Sequence, residues 1–214
     1  MQIVEITGAE YVGEQPLQLN ALLRALHEDG LISDSELSRA GSSAAVRVHP
    51  LVFLAEQHLA DASRPGETLH MERLLAWLGQ RVDQPAYQID PLKINVTAVA
   101  EVMSRAFAER HRILAVEVHD DEVLIASSEP FIRAWESNLE HVLRKRVRRV
   151  LADPRDIARH TAEFYTMASS VRGAGGGGRV DTGAGVTNLE QMLELGSMKE
   201  PDANDQHIVN IVDW

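Results

Sequence analysis

Between Tyr87 and Tyr165 the spacing of apolar residues passes from the period of a helix to that of a strand and back, so this stretch must pack helices on a sheet. Val96, Val99, Ala100, Val102, Met103, Ala106 and Phe107 fall on one helical face, with Thr97 near its start. Two β-like runs follow, Arg112 to Val118 and Glu122 to Ala126, joined by His119-Asp120-Asp121 at hairpin spacing. Ile132, Trp135, Leu139, Val142 and Leu143 predict another helix, and Val147 to Leu151 a third strand. Asp153-Pro154 supplies the N-cap and first residue of a last helix carrying Ile157, Ala158, Thr161, Phe164 and Tyr165. The order αββαβα predicts a small α+β layer. Phe107, Phe131, Trp135, Phe164 and Tyr165 are expected to pack in its interior.

Upstream, the pattern is helical throughout. Leu19, Leu22, Leu23, Leu26, Leu31, Ile32 and Leu37 are interrupted by Asp29-Gly30, which predicts one helix ending at Gly30 and a second, shorter one capped by Ser33 with Glu36 as its capping-box partner. Leu51, Leu54 and Leu59 precede the turn Ser63-Arg64-Pro65-Gly66, and Leu69, Met71, Leu74, Leu75 and Leu78 then recur at helical spacing up to Gly79. The expected organisation is a helical subdomain over 1–82 and an α+β domain over 83–171. Residues 172–200, with Gly173-Ala174-Gly175-Gly176-Gly177-Gly178, are expected to form a flexible Gly-rich linker. Ile208, Val209, Ile211, Val212 and Trp214 begin an amphipathic pattern with nothing after it to pack on, so 201–214 is expected to be the severed start of a next domain.

Several chemistries lack their residues. A phosphate-cradling P-loop ends in Gly-Lys-Ser/Thr, whereas this glycine run leads into Arg179-Val180-Asp181. With zero cysteines in 214 residues there is no thiolate nucleophile, thiolate metal site or disulfide framework. His111, His119, Asp120 and Asp121 gather near the predicted hairpin, but without metal-ligand spacing they read as solvated turn residues. No catalytic and no metal-binding residue is expected. The net charge of -11 disfavours general nucleic-acid binding. No window approaches the roughly 18 consecutive apolar residues of a membrane span. The densest basic run is Arg144, Lys145, Arg146, Arg148 and Arg149, interrupted only by Val147. It reads first as a solvated helix end and strand entry, and second as a surface for an acidic partner.

Ile89-Asp90-Pro91-Leu92-Lys93-Ile94, Ala108-Glu109-Arg110-His111, Ser128-Glu129-Pro130 and the strand and helix from Arg144 to Tyr165 together resemble the N-terminal domain of the type II secretion and type IV pilus assembly ATPases, nearest the general secretory pathway protein E branch. The tail from Asp202 to Trp214 resembles the opening of their next domain. The resemblance implies a non-catalytic adaptor. It would dock a cytoplasmic motor, hexameric in the full-length parent, on the actin-like cytoplasmic domain of an inner-membrane platform protein. It also implies a cytoplasmic location, peripheral to the inner membrane through partners and without membrane insertion. No cofactor is expected in this chain; ATP and magnesium would belong to the absent ATPase core. Some relatives bind cyclic-di-GMP through paired helical motifs that begin Arg-Leu-Gly. The first candidate here reads Gln18-Leu19-Asn20, with Leu23 and Gly30 downstream, and the second begins His49-Pro50-Leu51. Gln18, Leu19, Leu23 and Gly30 are therefore the residues for the alternative, a dinucleotide-binding regulatory domain; losing the arginine removes the group suited to bidentate phosphate contact.

Overall fold

The computed structural model describes residues 14–41 and 48–175. Four helices come first: α1 (Leu19–Glu28), α2 (Asp34–Gly41), α3 (Pro50–Glu56) and α4 (Met71–Val82). The leucine spacing builds them, and local chemistry ends them. Gly30 takes φ +71°, which lets Leu31 N–H reach the Leu26 carbonyl at 2.8 Å and Gly30 N–H the His27 carbonyl at 3.0 Å. This is a Schellman cap, and its buried Leu26 and Leu31 close the turn. The Ser33 hydroxyl accepts from Glu36 N–H at 3.4 Å, whereas the Glu36 side chain turns to Arg39, so half of the expected capping box forms. α4 runs three residues beyond Gly79 because the glycine is needed for close approach: a Cβ there would meet the Gln84 carbonyl oxygen at 2.5 Å.

The second part contains α5 (Val96–Ala100), α6 (Arg105–His111), β1 (Ile113–Val118), β2 (Glu122–Ser127), α7 (Ala134–Leu143), β3 (Arg146–Leu151) and α8 (Pro154–Gly175). The apolar face from Val96 to Phe107 is split between two helices where one was expected. Ser104 is the cause: its hydroxyl accepts from Phe107 N–H at 3.1 Å and its carbonyl from Ala108 N–H, so the chain restarts a helix there. Asn95 caps α5 in the same way, through Ala98 N–H at 3.1 Å. α8 starts at Asp153-Pro154 as expected, with the Asp153 carboxylate accepting from Arg155 N–H at 2.8 Å. It extends to Gly175, into the stretch expected as linker; the rest of that stretch and the predicted severed domain lie outside the described residues.

The sheet has the order β1-β2-β3. β1 and β2 form the expected antiparallel hairpin, with a bulge between Ala115 and Glu117, while β3 returns parallel to β2 after the α7 crossover. α5, α6 and α8 pack against β1, and α7 packs against β3. The fold is thus α+β, a helical bundle followed by a small layered domain. Two buried clusters result. One, rich in leucine, spans Leu17 to Leu78; the other, centred on the sheet, spans Ile89 to Phe164 and holds Phe107 and Trp135. Leu151 at the end of β3 and Phe131 belong to the helical cluster, so the sheet domain reaches into its neighbour's core. Backbone bonds from Tyr87 to Leu151 (2.7 Å) and from Leu151 to Pro85 (2.9 Å) hold the crossing point.

Candidate functional site

β3 sorts the basic run by strand alternation. Arg146 and Arg148 point to solvent, with 74% and 62% of their side chains exposed. Arg146 lies 3.2 Å from Asp121 and 3.7 Å from Glu122, and Arg148 3.5 Å from Glu122. Such exposed pairs contribute little and exchange readily for another carboxylate. Arg144, also exposed, caps α7 in the left-handed conformation at φ +54°. Lys145 donates to the His119 carbonyl at 2.6 Å and braces the hairpin tip.

Arg149 leaves this group. Only 8% of its side chain is exposed; its Nε lies 2.6 Å from Glu136 Oε1, and it donates to the Pro130 carbonyl at 2.9 Å. Burial pushes its pKa down, against the attraction of Glu136. The expectation that it faces a partner is corrected: it is an internal strut between β3, α7 and the loop after β2. On the strand's outer edge the Val147 N–H is taken by Glu140 Oε1 at 2.9 Å, which blunts strand addition there.

The residues considered for a dinucleotide are not gathered. Gln18 is exposed before α1, its carbonyl accepting from Ala21 and Leu22 N–H and its side chain donating to Gln15 at 3.4 Å; Leu19 is partly buried and Leu23 fully buried in the leucine-rich core. Gly30 stands at the far end of α1, with roughly 15 Å of helix between them. The helix–cap unit does recur: His58 takes φ +48° after α3, and Leu54 and Leu59 are buried as Leu26 and Leu31 are.

The histidine and acid set near the hairpin is likewise dispersed. His111 packs on Phe107 with ring centroids 4.4 Å apart, and burial together with the Arg110 charge lowers its pKa. His119 pairs with Glu117 at 3.1 Å, while Asp121 takes Arg146. Among the described residues, no group of His, Asp and Glu is arranged to hold a metal ion. No helix among them is long and apolar enough to cross a membrane.

Glu129 was missed by residue-by-residue reading. Its side chain is 5% exposed; Oε2 accepts from Leu17 N–H at 2.7 Å, and Oε1 lies 3.1 Å from His49 Nε2. Leu51 N–H donates to His49 Nδ1 at 3.3 Å, which leaves Nε2 to donate to Glu129. A buried carboxylate of the sheet domain thus holds two points of the helical bundle. The available signal was an acid placed two residues after the apolar strand Glu122–Ser127 and directly before Pro130.

Comparison with known proteins gives this geometry a family. Residues 80–171 match the MshEN domain. The chain is 36% identical over 197 residues to the type IV pilus assembly ATPase TfpB of Acinetobacter baylyi, an alignment covering 90% of this chain. Residues 80–171 are therefore an MshEN domain, and the chain around them is similar to part of a type IV pilus assembly ATPase. It spans about a third of the length of that curated relative, 33%. Among solved structures, this MshEN-containing chain is similar to MshE with cdg, with TM-score 0.45 and 18% identity over 70% of this chain and 99% of that one. It is also similar to the N-terminal domain of XpsE, with TM-score 0.43 and 15% identity over 71% of this chain and 99% of that one.

Proposed function

We propose that this chain is a non-catalytic adaptor that docks a cytoplasmic secretion or pilus motor to an inner-membrane platform. The partner surface is the actin-like cytoplasmic domain of a platform protein, and the motor in the full-length parent is a hexameric ATPase. The observation that carries the reading is the outward face of β3, where Arg146 and Arg148 are held by exchangeable pairs while Arg149 is locked inside. Such a face suits an acidic partner and steers its approach. Co-elution of the 214-residue chain with the cognate platform domain on size exclusion tests the role. A complex is expected; separate peaks at tens of micromolar would contradict it.

A second reading, a cyclic-di-GMP regulatory domain, draws on the repeated helix–cap unit at Gly30 and His58. Gln18, Leu19, Leu23 and Gly30 would form the first half-site. Against it, Gln18 brings no cation to the exposed start of α1. Calorimetry with cyclic-di-GMP separates the two: heat that saturates at micromolar ligand supports sensing, and no heat at high micromolar leaves docking alone.

A further inference from the structure

A cleft of about 510 Å³ opens between the two cores, within the range of small-molecule sites. Val52 on α3, Ala108 on α6 and Ile157 and Ala158 on α8 give it an apolar wall. Its charged residues are nearly all matched. Glu109 pairs with Arg105 at 2.7 Å, Arg155 with Asp153 at 3.0 Å and Glu56 at 3.7 Å, and His49 with Glu129. The exception is Arg112. It caps α6 at φ +53°, lines the cleft, and its guanidinium has no hydrogen-bond or ion-pair partner among the described residues. Ser128, also in the lining, is fully buried and carries a hydroxyl without a partner among the described residues.

We propose that this cleft binds a small amphiphilic anion. Its apolar body lies on the wall of Val52, Ala108, Ile157 and Ala158, and its carboxylate or phosphate meets Arg112, the one charge of the lining left unmatched among the described residues. Because the wall is drawn from both parts of the molecule, a bound ligand bridges them beside the His49–Glu129 contact and stabilises their docked arrangement. The inference goes beyond the adaptor role and does not depend on it.

The test is a titration of the ¹⁵N-labelled 214-residue chain with sodium octanoate, octyl phosphate and 1-octanol, followed by NMR. At least one anion is expected to give saturable shifts centred on Val52, Ala108, Ile157 and Ala158, and to raise the thermal midpoint; which anion does so identifies carboxylate or phosphate as the headgroup. Arg112→Ala should weaken that binding about tenfold, the scale of a lost charge-assisted bond. Arg112→Gly should do the same while suiting the left-handed cap, so that misfolding cannot explain the loss, and Arg112→Lys should recover part of it. The inference fails if octanol binds as tightly as the anions, if both Arg112 variants bind with unchanged affinity, or if the shifts never saturate.

Discussion

The helical bundle and the sheet domain solve stability differently. In the bundle, polar anchors are matched within the bundle: Asp29 accepts from Trp77 and Arg81, both at 2.7 Å, and Asp61 accepts from Ser63 and, at 3.1 Å, from Arg73. In the sheet domain the central polar groups reach outward. Glu129 holds the bundle, Leu151 enters its core, and Arg146 and Arg148 of β3 face solvent. The difference teaches that the bundle can be read as a self-contained support, whereas the sheet domain carries both the internal junction and the external face.

Breaking the junction should cost most. Glu129→Ala leaves His49 and the Leu17 N–H buried without their acceptor, an expected loss of about 3 kcal/mol in urea unfolding. Glu129→Gln, which retains one acceptor, should recover part of it. Gly79→Ala tests the bundle's close packing; the clash with the Gln84 carbonyl should cost about 2 kcal/mol in the same assay.

The pH response sharpens the contrast. Burial opposes ionisation of Asp29, but bonds from Arg81 and Trp77 outweigh it and lower its pKa; Asp61 is lowered likewise, through Ser63 and Arg73. A carboxylate whose folded pKa is depressed adds stability above its unfolded value of about 4 and loses it as pH falls through the folded value. Below about pH 4, therefore, the Trp77 indole signal in the bundle should broaden before that of Trp135 in the sheet domain, as followed by NMR. Asp29→Asn should remove about 1 kcal/mol and flatten this acid limb. The smallest stability effect belongs to the β3 face: Arg146→Glu with Arg148→Glu should shift unfolding by less than about 1 kcal/mol, since exposed pairs contribute little.

Much of this was legible in the residues. Gly30, Ser33 and Asp153-Pro154 marked real boundaries because caps are local chemistry, and two short β-like runs joined at hairpin spacing placed the hairpin. Ser104 was not read as a helix restart, because the apolar face runs unbroken across it. The inward turn of Arg149 and the burial of Glu129 depend on partners 13 and 80 residues away, Glu136 and His49, and such pairings follow from packing rather than local pattern. The parallel return of β3 was equally silent, since Val147 to Leu151 reads the same in either direction.

The central claim is that docking lies on the sheet domain's basic strand and not on the bundle. Calorimetric titration of the platform protein's cytoplasmic domain into three chains tests it most directly: wild type, Arg146→Glu with Arg148→Glu, and Arg24→Glu on the exposed face of α1. The account expects wild type and Arg24→Glu to bind alike and the β3 double variant to lose at least tenfold. Unchanged affinity in the double variant, or a loss confined to Arg24→Glu, would contradict it.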